Sequence, residues 1–221
     1  MKKLSSPFDL IKKSVNIFLK KENLLFLAKI YAPVAFFSVL SIAQSFLPAS
    51  VINSKSVLLV ILMVFIQILY VLVSVFVTAS GIVALGRVVD GKELSVKKVY
   101  KSAWKTYWIF LLLSIVLFLA YLFGFVLLIV PGLLFVVWFA FSRFVMIEKG
   151  FGVKVSLLKS KYLVKGIYWK ILGRLIIIGV FMIVVEIVLS IIPYGIGAVL
   201  TSLCGGLFML PLYLLYKEIS E

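Results

Sequence analysis

Histidine is absent from this chain, cysteine occurs once, and only 8 of its 221 residues are acidic. Without histidine, the commonest general base, the usual metal ligand and the usual triad member are lost together. The lone Cys204 lies in an apolar run. It has no intrachain partner, so a disulfide framework is excluded and packing is its expected role. The few carboxylates form no paired constellation and no metal-ligand spacing, and no glycine-rich phosphate loop is present. These absences argue against an enzyme: no catalytic residue, cofactor or metal is expected.

Charge of either sign is also scarce, at 14% of residues against 64% hydrophobic ones, where a soluble domain carries about a quarter charged. Water cannot be the solvent for such a surface. Several apolar runs reach the roughly 20 residues a helix needs to cross ~30 Å of hydrocarbon, where each backbone polar group must be satisfied within its own segment. A membrane β-barrel would alternate apolar and polar residues, whereas Val57 to Val64 and Ile171 to Val180 are almost continuously apolar. The expected fold class is therefore an all-α polytopic membrane protein, with spans at about 24–47, 57–86, 107–130, 132–147, 168–191 and 196–216. Arg143 and Glu148 enter the fourth span early, so it is expected to be short or wet at that end. The first span is too long for a signal-peptide core and lacks a small-residue cleavage site, so it is expected to stay as an anchor.

The net charge of +15 does not indicate nucleic acid, because the lysines sit between spans rather than on a water-soluble face. Their placement gives the topology instead. Seven Lys and Arg precede or open the first span, six lie in 87–105, eight in 143–174, and Lys217 adds one; the alternate side has only Lys55. Because cytoplasmic loops carry the excess of Lys and Arg, both termini are expected in the cytoplasm of a multi-pass cell-membrane protein.

An internal repeat underlies the pattern. Outgoing spans end at Leu47-Pro48, Val130-Pro131-Gly132 and Ile192-Pro193-Tyr194-Gly195, and each begins about 24 residues earlier, at Leu24, Tyr107-Trp108 and Tyr168-Trp169. A basic segment precedes each unit. Ser6-Pro7-Phe8-Asp9 reads as a helix start, and Phe8, Ile11, Val15 and Phe18 or Leu19 recur at helical spacing beside Lys12, Lys13, Asn16 and Lys20. In the second segment Val96, Val99, Tyr100, Ala103 and Tyr107 oppose Lys97, Lys101 and Lys105. In the third, Phe151, Val155, Leu158 and Tyr162 form a stripe flanked by Lys154, Lys161 and Lys165, while Val153, Leu157 and Val164 suggest packing on two sides. The expectation is one integral membrane domain over 1–221, built of three transmembrane hairpins, each preceded by a short basic surface helix, with units at about 7–86, 94–147 and 152–216.

The run Pro131-Gly132-Leu133, Trp138-Phe139-Ala140-Phe141, Arg143, Glu148-Lys149-Gly150, Ser156-Leu157-Leu158-Lys159-Ser160, Gly166, Tyr168-Trp169 and Leu172-Gly173 resembles the membrane domain of glycerophosphodiester phosphodiesterases and its stand-alone relatives. The resemblance is sharpest over roughly 124–175. In the fused members hydrolysis belongs to a separate soluble domain with no counterpart here, so the resemblance implies architecture rather than enzyme activity.

Three sets of residues are candidates for function. Glu186 is an ionisable group within a span, costly there and hence either a proton or solute site or a structural polar pairing; Gln67, Ser74 and Thr78, on one face of the second span, could supply its hydrogen bonds. Lys97, Lys98, Lys101, Arg143, Lys154 and Lys161 are candidates for anionic headgroups on the cytoplasmic side, or for docking a partner protein or second copy, beside their role in setting orientation. Arg143 and Glu148 could also pair with each other. A membrane scaffold or lipid-binding module is the leading expectation, and a small-solute transporter the alternative.

Overall fold

The computed structural model describes residues 4–45, 56–193 and 195–220. The turn expected at Leu47-Pro48, Lys55 on it, and Tyr194 lie outside the described residues. Among the described residues ten helices follow one another: α1 (Pro7–Phe18), α2 (Lys21–Ser45), α3 (Val57–Val89), α4 (Val96–Leu127), α5 (Ile129–Phe139), α6 (Ser142–Lys149), α7 (Val153–Val164), α8 (Tyr168–Ser190), α9 (Ile196–Leu203) and α10 (Gly205–Ser220). No strand occurs among the described residues.

Among the described residues six segments are long and apolar enough to cross a membrane: Lys21–Leu40, Val57–Val89, Val96–Val126, Ile129–Lys149, Tyr168–Ser190 and Ile196–Ser220. The chain is thus an all-α polytopic membrane protein. Neighbouring spans pack in chain order, α2 on α3, α3 on α4, α4 on α5, α5 on α8 and α8 on α9, and α9 returns to α2 to close a ring. Both described ends meet at the lysine-rich end of the bundle. There the Ser5 N–H donates to Glu218 Oε2 at 3.1 Å, and the Arg174 guanidinium donates to the carbonyls of Ser5 (3.0 Å) and Leu4 (3.1 Å).

Two of the expected surface helices are separate elements and one is not. The second basic segment is the opening of α4, continuous with its span, because no glycine or proline interrupts 96–123. At about 48 Å this helix exceeds the hydrocarbon thickness and carries its lysines beyond it. Val99, Ala103 and Tyr107 are buried, as their spacing predicts, but they pack on α3, where Phe76 meets the rings of Tyr100, Trp104 and Tyr107.

In α1 the expected stripe is displaced. Leu10, Ser14 and Phe18 are the buried face, seated mainly on α10, while Phe8 is 69% and Leu19 63% exposed. Helical spacing finds an apolar face but not which of two neighbouring faces meets the bundle.

The fourth span is broken between α5 and α6, and a side chain from α7 repairs the break. Ser160 Oγ donates to the Trp138 carbonyl at 2.7 Å and accepts from the Phe141 N–H at 3.1 Å. Two backbone groups freed by the interruption are thereby satisfied, as an apolar surrounding requires. Positive-φ glycines, Gly150 at 67° and Gly166 at 83°, bracket α7 with turns that a side chain would strain.

Buried side chains concentrate in the lysine-rich half of the bundle. They include Phe26 to Ala35 in α2, Val77 to Leu85 in α3, Ile171 and Ile178 in α8, and Leu210 to Tyr216 in α10. In the far half, Val57 to Phe65 of α3 and Ile183 to Val188 of α8 expose their large apolar side chains, as lipid-facing surface does.

Candidate functional site

Two regions hold the candidate residues, one at each end of the bundle. At the lysine-rich end, α7 is a two-faced helix. Ser156, Ser160 and Val164, at i, i+4 and i+8, are buried against α5 and α6. Phe151, Val155, Leu158 and Tyr162 point away from the protein, Tyr162 being 73% exposed, and Trp169 at the start of α8 is 79% exposed. Lys154 and Lys161 are exposed beside this stripe, and Lys161 Nζ stands 4.1 Å from the centroid of the Trp138 ring.

Lys97, Lys98 and Lys101 on α4 are exposed. Lys98 is paired with Glu93, a contact that holds the Glu93 carboxyl below its ordinary range. Arg143 does not join this surface. Among the described residues its enclosed Nε has no hydrogen-bond partner, and the phenol of Tyr121 on α4 is its electrostatic neighbour. The break at Ala140–Phe141 turns Arg143 into the bundle rather than leaving it at the boundary.

Glu148 pairs with Lys217 and Tyr213 rather than with Arg143. Lys217 Nζ lies 3.4 Å from Glu148 and 3.5 Å from Asp90, and the Tyr213 hydroxyl donates to Glu148. Asp90 also accepts from Lys92 at 2.8 Å; that hydrogen bond first, with the charges of Lys217 and Lys92, holds its carboxyl below the usual range. Asp90, Lys92, Glu148 and Lys217 line a cavity of about 360 Å³ with Gly86, Arg87 and Ser102.

At the far end, Glu186 lines a crevice of about 510 Å³ with Ser38 of α2, Ser190 of α8, and Gly197, Thr201 and Ser202 of α9. Gln67, Ser74 and Thr78 do not line it. Gln67 is exposed, Thr78 Oγ1 donates to the Ser74 carbonyl at 2.7 Å, and Ser74 Oγ is enclosed with no partner among the described residues.

The close seat of α9 shapes the crevice. A Cβ on Gly197 would stand 2.0 Å from the Leu189 carbonyl oxygen, and one on Gly195 would stand 2.4 Å from Ile42. Tyr31 lies seven residues, or about 10 Å, before Ser38 on α2. Its hydroxyl lies 3.2 Å from Met209 Sδ, and its ring occupies the room where Cβ atoms on Gly81 and Gly205 would stand.

Sequence reasoning found Glu186 and the lysines but neither Ser38 and Ser202, whose hydroxyls meet at 2.7 Å across 164 residues, nor the clamps made by Ser160 and Arg174. Serine in an apolar helix ordinarily bonds its own backbone. Nothing in the sequence marks these as long-range contacts.

Comparison of the chain with protein-family models, with curated proteins and with solved structures finds no match in any of the three.

Proposed function

We propose that this protein is a non-enzymatic multi-pass scaffold of the cell membrane, with both termini cytoplasmic, whose basic segments engage anionic headgroups of the inner leaflet. On this reading it is a stand-alone relative of the membrane domain that glycerophosphodiester phosphodiesterases carry. The observation that carries the reading is α7: one face is fixed to the bundle through Ser156, Ser160 and Val164, and the other presents Phe151, Val155, Leu158 and Tyr162 beside Lys154 and Lys161. A helix with that section lies in the interface with its apolar edge in the acyl boundary and its lysines at headgroup phosphates. Each lysine near an anionic surface contributes about 1 kcal/mol. Lys97 and Lys101, beyond the hydrocarbon on α4, extend the same charged surface, on which an acidic partner protein or a second copy would also dock.

The test is lipid selection. Protein reconstituted in nanodiscs with and without anionic phospholipid would be compared with two variants, one with Lys97, Lys98 and Lys101 neutralised and one with Lys154, Lys161 and Lys165 neutralised. Enrichment of anionic lipid around the wild type, reduced about tenfold or more in the variants, is expected. Equal lipid shells around all three proteins would leave the lysines as topology signals alone.

A second reading, a small-solute transporter, is favoured by the Glu186 crevice. Tyr31 weighs against it, since its ring closes the bundle between Gly81 and Gly205, toward the lysine-rich end from Ser38 on the same helix.

A further inference from the structure

We propose that the far-end crevice is a binding site for a primary ammonium group, with Glu186 as its counter-ion and the hydroxyls of Ser38, Ser190, Thr201 and Ser202 as acceptors. This site is separate from the lysine surface and does not depend on it. The direction in which the hydroxyl protons point carries the inference. Ser190 donates to the Ile187 carbonyl at 2.7 Å, Thr201 to Gly197 at 2.9 Å and Ser202 to Ala198 at 2.9 Å. Ser38 and Ser202 meet at 2.7 Å with either hydroxyl able to donate, and Ser38 also has the Val34 carbonyl at 3.5 Å, so both protons have acceptors within the protein whichever way that contact runs. Each hydroxyl proton is therefore spent inside the protein, and lone pairs remain for a ligand.

Among the described residues the cavity is lined by one carboxylate and several acceptor oxygens with no side-chain donor to spare, which suits a ligand that brings its own donors and a positive charge. A primary ammonium brings three. A phosphate or carboxylate would meet Glu186 and find no donor among the described side chains that line the cavity. A quaternary ammonium has the charge but no proton to give. At about 510 Å³ the space falls among small-molecule sites and is far larger than a bare ion needs. Glu186 sits seven residues before Pro193, so its carboxyl stands about 10 Å or less below the rim formed by Ile192, Pro193 and Gly195. Both an amine-bearing lipid headgroup and a free amine can reach that depth.

The experiment separates the two sources. In phosphatidylcholine nanodiscs free of amine lipid, the thermal midpoint is measured with ethanolamine and with choline at equal ionic strength, for the wild type and for E186Q. In a second arm, nanodiscs of mixed phosphatidylethanolamine and phosphatidylcholine are assembled, and the lipid retained on the protein is counted by native mass spectrometry. A Glu186-dependent rise with ethanolamine but not choline identifies a soluble amine. Enrichment of phosphatidylethanolamine that E186Q abolishes identifies the headgroup. Thr201→Val, which keeps shape and removes an acceptor, should weaken either signal about three- to tenfold if E186Q folds poorly. Equal response to ethanolamine and choline with no headgroup enrichment, or binding unchanged in both variants, overturns the assignment. Neutralising Lys97, Lys98 and Lys101 should leave all of these signals untouched.

Discussion

Gly197 stands so close to Leu189 that a single added methyl would come within 2.0 Å of its carbonyl oxygen. The obstacle is backbone on the same tight turn, which no rotamer change relieves. Gly197→Ala should therefore destabilise the protein by about 2 kcal/mol or more. Gly179 on α8 has nothing within 4 Å of its would-be Cβ. Gly179→Ala should be neutral or stabilising by up to about 1 kcal/mol. Thermal melts of the two variants in one detergent make the comparison, and equal effects would refute the account of the turn.

Ser160→Ala removes partners from both the Phe141 N–H and the Trp138 carbonyl. Leaving buried backbone groups unmet costs about 1–3 kcal/mol each, so the midpoint should fall by several degrees. Hydrogen exchange at the Phe141 amide should rise with it. A variant whose midpoint drops with that amide still protected would place the damage elsewhere.

Arg174 holds the chain at Leu4 and Ser5 through two carbonyls. Arg174→Ala should loosen α1 from α10 and speed tryptic cleavage at Lys12 and Lys13 about tenfold, with the spans intact. Arg174→Lys should restore part of the protection, since an ammonium lacks the fixed fork that reaches both oxygens. Identical digestion of all three proteins would count against the clamp.

Asp90 gives a pH dependence with a definite sign. Its carboxyl is held low in the folded protein by Lys92 and Lys217, so its contribution is present above the unfolded value of about 4 and is lost as pH falls through the lower folded value. Between about pH 5 and pH 3 the wild type should lose a few degrees of midpoint that Asp90→Asn has already lost. Parallel curves for the two proteins would show that the pairing is inert.

The architecture was legible because lipid as solvent leaves little choice: length and apolarity located six spans, and the lysines marked which ends lie together. Register around each helix was less legible. The expected stripe began at Phe8, and only the seat against α10 puts Leu10 and Ser14 inside instead. The Glu186 site was legible for its carboxyl alone, because its cost inside a span is intrinsic, whereas Ser38 and Ser202 are ordinary residues until α9 folds back on α2. Arg143 read as a boundary residue because the break at Ala140–Phe141, which turns it inward, rests on Ser160 from the next helix.

The crowding of buried side chains into one half of the bundle makes that half a conventional protein core and the other half a composite of helix and acyl chain. The far ends of α3 and α8 turn their large apolar side chains outward, where the solvent is acyl chain rather than neighbouring helix. The two halves should therefore melt by different rules, the lysine-rich half insensitive to what dissolves the protein and the Glu186 half tracking it.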